Sequence, residues 1–433
     1  MDVRSMVVVF MTWVCAALGQ TQLDSGPVFA VLRPEAKAAA VSSRQQADAL
    51  AALELRDLHA AWRGVMPLGA DPEHERFATP LSTTERKAVL TAARSKSPET
   101  QLAFFESLGL GDVPIADRVG ALQFLDALEL SNGVELAIRV LRETEARYLV
   151  GGSVADASQR SLVSMLRRCP QDCRFLPPPA PDQAPEFTAF LIRVLGASRM
   201  VPAFAMLAQW IGTGHDQPIL DQLAGFGRIQ AAALRSEALE KVRGCLEASD
   251  WKTRRGAIVV ASRQHDSGSF RDLVRCLDDD NPRVRRAGLE ALTAMSGERL
   301  GPDPLRWLDW ADARERWLVE DWPDLEDALG DQLPDVVMEQ LNALTRERLF
   351  RDEVTHGIAW LLQSPDQGVR IVTSRTLGLL RGSGAAVHLV PLLGDAVEPV
   401  RVAAHRALES IAGCDLPRDP EACGRKLSAM GLR

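Results

Sequence analysis

Four arginines recur at fixed spacings in the second half of this chain, where they could bind an anion or hold carboxylates. Arg254 and Arg285 lie 31 residues apart, as do Arg370 and Arg401, and 116 residues separate the two pairs. Acidic residues accompany them: Asp250, Asp279, Asp366 and Asp395. Because a guanidinium donates several hydrogen bonds to a carboxylate, this Arg column predicts a structural ladder between neighbouring turns. An anion-binding ladder is the alternative.

Three tryptophans form a second candidate site, an aromatic patch. Asp303 can cap a helix that starts at Pro304. At about 100° per residue, Trp307, Trp310 and Trp317 then fall within roughly 80° of one another. Such a face packs onto the rest of the fold or, if exposed, binds a partner or a sugar. A segment expected to be solvated follows, with the acids Glu320, Asp321, Asp324, Glu326 and Asp327.

Cysteine spacing permits local disulfides. Six cysteines follow residue 20, and an even number in an exported chain is compatible with pairing. Cys169 and Cys173 flank a short loop, and Cys414 and Cys423 flank a second, Pro-rich turn. Because no histidine stands beside Cys169 and Cys173, their spacing argues against a zinc site. The two sequence-local pairs are therefore the candidate disulfides.

Motifs for catalysis are missing from the sequence. It has no phosphate-binding loop, His-Glu-x-x-His, Gly-x-Ser-x-Gly or Cys-x-x-Cys-His. The seven histidines are scattered, at positions 59, 74, 215, 265, 356, 388 and 405. His388 and His405 fall in one repeat but in different helices, which favours surface histidines over a metal pair. The sequence therefore predicts no catalytic residue, no cofactor and no metal.

The elements that position these residues are repeated. A shift of 116 residues aligns 253–304 with 369–420 without a gap, and a shift of 31 places Cys245 and Leu246 on Cys276 and Leu277. A period of about 30 residues with helical patterning is typical of a solenoid.

Each unit divides into two amphipathic helices. In the first, the apolar residues follow helical spacing: Phe270, Leu273, Val274 and Leu277. Asn281 can cap the second helix, and Pro282 suits its first turn. One face of that helix is apolar, with Val284, Ala287, Ala291, Leu292 and Met295. Since one pair of helices cannot bury both stripes, the pairs must stack.

The segments DNPRVRRAGLEAL and EPVRVAAHRAL resemble the second helix of HEAT repeats, and the short unit is closest to repeats of the phycobilisome-lyase type. The segment DPLRW resembles an Asp-Pro-x-x-Trp extension found on HEAT arrays of exported bacterial proteins. Cys423 replaces Trp307 in the second copy. The resemblance covers about 240–300 and 350–415. It implies an all-α superhelix, a HEAT-like solenoid, and a habit of binding rather than a reaction.

Upstream of the repeats, the sequence pattern also predicts helices. Ser82 and Glu85 form a capping box, strand patterns are scarce, and LPPPAPDQAPE at 176–186 is the clearest break. The predicted organisation is a signal peptide at 1–19, an irregular helical domain at 20–176, a Pro-rich linker at 177–186, HEAT-like repeats at 187–303, a Trp- and acid-rich helical insertion at 304–345, and repeats with a C-terminal extension at 346–433.

The N-terminus predicts export. Arg4 precedes an uncharged apolar run, and Ala17 and Gly19 are small residues before a cleavage point at Gln20. The run is short for a membrane span, although an uncleaved anchor is the alternative. No other stretch could span a membrane, so the mature protein is expected to be periplasmic or extracellular. The net charge of −8 argues against nucleic-acid binding.

These patterns together favour a non-catalytic exported scaffold that binds a protein partner through its solenoid surface. Two alternatives are open. One is an enzyme with a site in the N-terminal helical region or at the aromatic insertion. The other is a binder of cell-envelope carbohydrate that uses the tryptophans.

Overall fold

The computed structural model describes residues 43–63, 65–66, 76–77, 81–108, 113–142, 144–145, 147–229, 232–382, 384–430 and 432. The predicted signal peptide at 1–19 lies outside them. The described residues are almost entirely helical, which confirms the all-α fold class. They contain one antiparallel pair of two-residue strands, β1 (Val65–Met66) and β2 (Arg76–Phe77).

The chain forms two compact units, Met1–Val194 and Leu195–Arg433. The predicted linker ends at residue 186, whereas the division falls later, inside a helix. The described helices that begin in the first unit are α1 (Ser43–Ala52), α2 (Leu55–Arg63), α3 (Thr83–Arg94), α4 (Pro98–Leu108), α5 (Ile115–Leu128), α6 (Gly133–Leu141), α7 (Arg147–Val150), α8 (Ser153–Arg168) and α9 (Pro185–Ser198). A 3₁₀ turn, Pro170–Phe175, follows α8.

Local sequence signals fix several of these helices. The capping box at the start of α3 is confirmed: the Ser82 hydroxyl accepts from the Glu85 amide, and the Glu85 carboxylate accepts from the Ser82 amide. Helix α5 packs on α6 and α8, and α4 packs on α6. Phe105 and Phe124 are fully buried between these helices. Their burial removes the largest apolar side chains of this region from water.

The second unit continues as helical pairs. Its helices are α10 (Val201–Gln209), α11 (Asp216–Leu223), α12 (Ala232–Gly244), α13 (Trp251–Gln264), α14 (Phe270–Arg275), α15 (Pro282–Ser296), α16 (Pro304–Arg316), α17 (Trp322–Ala328), α18 (Pro334–Leu344), α19 (Arg351–Ile358), α20 (Gln367–Leu380), α21 (Ala385–Leu389), α22 (Glu398–Ala412) and α23 (Pro420–Ala429). Short 3₁₀ turns extend α12, α14, α19 and α21.

The predicted repeats are HEAT-like pairs that stack along the chain. Second helices pack on second helices, α11 on α13, α13 on α15, and α20 on α22. Asn281 caps α15 as predicted, because its side chain accepts from the Arg283 amide at 2.9 Å. Val284 and Leu292 on the predicted apolar face of α15 are fully buried. The stack therefore buries the stripes that one pair would leave exposed.

The insertion predicted at 304–345 belongs to this stack. Helix α16 packs on α14, and α18 packs on α20. Trp322 and Leu341 join a core cluster that reaches Leu432. The insertion therefore takes the place of a helical pair between the two clear copies. None of the helices in the described part of the chain is long and apolar enough to cross a membrane.

Candidate functional site

The Arg column ties neighbouring helical pairs together. Arg254 at the first turn of α13 donates from Nε and Nη2 to the carboxylate of Asp279 in the next pair, at 2.7 and 2.9 Å. Its Nη1 donates to the carbonyls of Ala248 and Ser249 at 2.7 and 2.9 Å. The hydrogen bonds from Arg254 hold the pKa of Asp279 below its usual value. With all three of these nitrogens engaged, Arg254 has little capacity for an external anion.

The second copy repeats this arrangement. Arg370 bonds Asp395 at 3.0 and 3.2 Å, as Arg254 bonds Asp279. Arg285 and Arg401 donate through Nη1 to loop carbonyls only. Two of the acids near the column, Asp250 and Asp366, serve as helix N-caps instead. Within the Arg column, an arginine therefore bonds a carboxylate only where a further repeat follows directly, as at Arg254 and Arg370.

The three tryptophans of the candidate patch separate into two packed groups. Trp307 is 0% exposed and donates its indole N–H to the Gly301 carbonyl at 2.7 Å. Phe270 contacts both Trp307 and Trp310. Trp317 packs on Trp322, with ring centroids 5.7 Å apart. Trp310 and Trp317 are half-buried. Stacking on a sugar needs an open ring face, and Trp307 has none, so the three rings do not form one exposed patch.

Among the described residues, no disulfide joins any of the six cysteines. Cys173 is buried, and burial raises the pKa of its thiol to about 11. Cys414 is exposed whereas Cys423 is fully buried beside Leu427 in the core. The candidate pairs Cys169–Cys173 and Cys414–Cys423 are therefore not joined in this structure. A thiol with a raised pKa is a weak nucleophile at neutral pH.

The histidines provide no metal centre among the described residues, which contain no group of three or more His, Cys, Asp or Glu that could hold an ion. His405 bonds the Leu416 carbonyl through Nε2 at 2.9 Å. His388 lies in α21 and is exposed. His59 is enclosed by Phe104 and Phe124, and burial lowers its pKa to about 4. These three histidines therefore lie in three different environments.

A groove of about 470 Å³ lies in the first unit. The described residues that line it include Trp62, Arg63, Arg86, Gly120 and Gln123, and none of them is a carboxylate, histidine or cysteine. The Arg86 guanidinium lies 6.0 Å from the Trp62 ring centroid. Acid–base catalysis needs a titratable group within hydrogen-bond reach of the substrate. The described lining of this groove presents arginines and no carboxylate, histidine or cysteine that could serve in that role.

The insertion carries the strongest concentration of charge. Residues 304–345 contain 11 Asp and Glu against three Arg, a net charge of −8. The whole chain also has a net charge of −8, so acids and bases balance in the remainder. Four exposed acids near the middle of the insertion form no ion pair with any described residue: Glu320, Asp321, Asp324 and Asp327. The signal in the sequence that singles out this segment is the comparison of its net charge with that of the whole chain.

Apolar side chains of the same segment face solvent. Leu305, Val319 and Leu333 are 69%, 73% and 74% exposed, more than any other large exposed hydrophobic side chain among the described residues. Val319 lies in a π-helical turn, Trp317–Asp321, that joins α16 to α17. Such turns are frequent at functional sites. We call these three residues and the four unpaired acids the insertion surface.

Comparisons with solved structures return low-scoring alignments to a karyopherin and to an engineered protein. The karyopherin Kap121p bound to the extreme C-terminus of the protein phosphatase Cdc14p aligns with a TM-score of 0.36 at 13% identity, over 99% of this chain and 50% of that chain. Kap121p bound to the SUMO protease Ulp1p gives 0.35 at 14% identity, over 91% and 46%. An engineered protein gives 0.30 at 15% identity, over 90% and 99%.

The chain thus spans about half the length of the karyopherin structures it matches. At these TM-scores the likeness supports no argument about function. No family model and no curated protein matches the chain.

Proposed function

We propose that this chain is a non-catalytic helical scaffold that binds a protein partner through the insertion surface. The observation that carries the proposal is the concentration of the chain's entire net charge, −8, in residues 304–345. A surface of one charge sign steers a partner of the opposite sign during encounter. The partner is therefore a protein with a basic face.

Exposed apolar side chains give the same surface a means of binding after encounter. Burial of Val319 and Leu333, both about three-quarters exposed, would remove apolar area from water. The core of an interface is typically apolar and its rim polar. The four unpaired acids around Val319 suit such a rim. Trp307 and Trp322 are buried in the fold, and Trp310 and Trp317 are half-buried, so the most exposed apolar side chains of this surface are the aliphatic ones.

We further propose that the protein acts outside the cytoplasm, as the exported bacterial HEAT proteins that it resembles do. The support is the N-terminal pattern of Arg4, an apolar run, and small residues at Ala17 and Gly19. A scaffold outside the cytoplasm would meet its partner in the periplasm or beyond. The experiment below therefore samples that compartment.

Site-specific crosslinking tests both proposals. A photoactivatable residue at position 319 of the full chain, expressed in the native host, is expected to give a discrete protein adduct in the extracytoplasmic fraction. Neutralising the four unpaired acids, as Glu320→Gln, Asp321→Asn, Asp324→Asn and Asp327→Asn together, should weaken the adduct at least tenfold. The reason is the loss of electrostatic steering, which can change association rates by 10-fold to 1000-fold.

The matched control neutralises four exposed acids elsewhere in the second unit: Glu237, Glu247, Asp278 and Asp280. This control should leave the adduct unchanged, since it removes the same total charge from outside the insertion. Equal weakening by both variants would overturn the insertion surface as the binding site. An adduct found only in the cytoplasmic fraction would overturn export while leaving the binding surface intact.

A further inference from the structure

Five arginines gather where the ends of α13, α19 and α20 meet. We call this group the arginine cluster; it comprises Arg228, Arg235, Arg348, Arg351 and Arg381. His265 and Arg381 are equivalent residues of the two 116-residue copies, and both end their helices in the left-handed conformation, with φ of 53° and 54°. The side chain of His265 and the backbone of Arg381 both contact members of the cluster.

Two of the arginines are compensated. Arg228 donates through Nη2 to both carboxylate oxygens of Asp352, at 2.7 and 2.6 Å, and Arg235 also bonds Asp352. Arg228 further donates to the carbonyls of Gln264 and Arg381, at 3.1 and 2.8 Å. These carbonyls belong to the C-terminal ends of α13 and α20, which carry partial negative charge. Arg228 and Arg235 therefore act as structural groups.

Arg351 differs from these two, because it forms no ion pair with any carboxylate among the described residues. Its Nη2 bonds His265 Nδ1 at 2.8 Å, and its Nε donates to the Arg348 carbonyl at 3.2 Å. The charges that act most strongly on it are three cations, Arg228, Arg348 and Arg381, and one carboxylate, Asp352. Burial and these cations lower the pKa of Arg351 to about 9.

His265 does not supply compensation. Its ring is buried, and its Nδ1 faces the Arg351 guanidinium while Nε2 faces the Arg348 carbonyl. An Nδ1 that accepts from Arg351 and an Nε2–H that donates to the carbonyl describe the neutral ring. Burial and the neighbouring arginines lower the His265 pKa to about 3. The ring positions Arg351 and leaves its charge unbalanced. A half-buried cation without a counter-charge costs stability unless an anion joins it.

We infer that the arginine cluster binds a phosphate group, with Arg351 as its central ligand and Arg348 and Arg381 beside it. Guanidinium groups are well suited to phosphate oxygens. Arg348 and Arg351 come from one segment, three residues apart. Arg381 comes from the end of α20, where its Nε donates to Ser410 Oγ at 3.2 Å and leaves its other nitrogens for a ligand. A tetrahedral dianion can accept from several directions, whereas a planar carboxylate matches one guanidinium fork.

The cluster is open to solvent on one side. Arg348 and Arg381 are exposed, and Arg351 is half-buried. A phosphate group can therefore reach Arg351 from outside without a change of fold. The site is separate in sequence from the insertion surface, and neither proposal depends on the other. The ligand class follows from the cluster alone.

Calorimetric titration of the full chain with inorganic phosphate, at constant ionic strength, tests this inference. Saturable binding of one phosphate is expected. Arg351→Gln should weaken it about tenfold or more, because a charge-assisted hydrogen bond contributes roughly the equivalent of a tenfold change in Kd. Arg286→Gln is the matched control, since Arg286 is an exposed arginine paired with Glu290, and it should bind phosphate as the parent chain does.

Other anions separate the ligand classes. Sulfate, which is also a tetrahedral dianion, should compete with phosphate, and acetate should compete at least tenfold less well. Equal binding by the Arg351→Gln and parent chains, or acetate binding as tight as that of phosphate, overturns the inference. Should Arg351→Gln fail to fold, the exposed Arg348→Gln variant decides: unchanged phosphate affinity in it overturns the inference, and weaker affinity supports it.

Discussion

His59 shows how burial sets the protonation state of a single side chain. Its ring lies between Phe104 and Phe124 in the first unit, and its Nε2 is buried without a hydrogen-bond partner in the described structure. Burial, and secondarily the charge of Arg63, lower its pKa to about 4. An exposed histidine in the unfolded chain has a pKa near 6.5. The folded protein therefore holds this ring neutral.

This difference predicts a pH-dependent loss of stability. Because the unfolded chain takes up a proton on His59 below about pH 6.5 and the folded chain does not, the stability contributed above that pH falls as the pH is lowered towards 4. Between pH 7 and 5 the loss from His59 is about 2 kcal/mol. In His59→Leu, the fall in the free energy of unfolding from pH 7 to pH 5 should be smaller by that amount. Denaturant unfolding at both pH values measures it.

A histidine on the surface provides the comparison. His388→Gln alters an exposed residue of α21 and should leave the pH dependence as it is in the parent chain. If His59→Leu keeps the full pH dependence, the ring is not held neutral by burial. The buried His265 contributes in the same direction, since its pKa is about 3, so some dependence remains in every variant.

The residue scale also shows what the sequence could predict. The spacing of Arg254, Arg285, Arg370 and Arg401 located a column of equivalent residues, because repeats keep equivalent positions. It did not show which acids meet them. Asp279 lies close to Arg254 and is not a helix N-cap, whereas Asp250 caps α13. That choice depends on loop geometry, which periodicity does not encode.

Gly378 determines how closely two helices approach. It lies in α20, and a Cβ atom at this position would lie 2.7 Å from the Cα of Ala407 in α22. That contact is with backbone, so it cannot be relieved by a rotamer change. Gly378 and Ala407 therefore allow α20 and α22 to cross closely.

Gly378→Ala should destabilise the second unit. Alanine favours a helix over glycine by about 1 kcal/mol, but overpacking a tight core costs about 1–3 kcal/mol. The second effect should dominate because the neighbour is backbone, and the melting temperature should fall in a calorimetric scan.

Gly244→Ala is the matched substitution, since Gly244 ends α12 and its added Cβ would meet nothing within 4 Å. It should leave the melting temperature unchanged or raise it. A rise in both variants would show that α20 and α22 can separate without loss of packing.

At the level of elements, the sequence located the helical pairs well and the insertion only in part. Caps such as Asn281 and Asp303 were predictable because they act within one turn. The 304–345 insertion stood out as a break in the repeat, yet its packing was not predictable. Helix α16 continues the row begun by α14, which requires knowledge of which faces meet.

At the scale of the whole second unit, one carboxylate joins segments far apart in sequence. Asp352 binds both Arg228 and Arg235, which lie 124 and 117 residues away. Both arginines are only 11% exposed. In a simple repeat array each unit contacts only its neighbours. Asp352 adds a long-range link that no repeat period could reveal.

Asp352→Asn should therefore affect the second unit as a whole. Removing the carboxylate shared by two largely buried arginines leaves uncompensated charge, and the cost should exceed the roughly 0–1 kcal/mol of an exposed pair. Arg228 and Arg235 would both lose their carboxylate, and α12 and α19 would unfold less cooperatively. Hydrogen exchange by mass spectrometry should show protection falling in both helices.

Asp312→Asn is the control, because Asp312 and its partner Arg271 are both about half exposed, and such pairs contribute about 0–1 kcal/mol. Similar small losses in both variants would contradict a long-range role for Asp352.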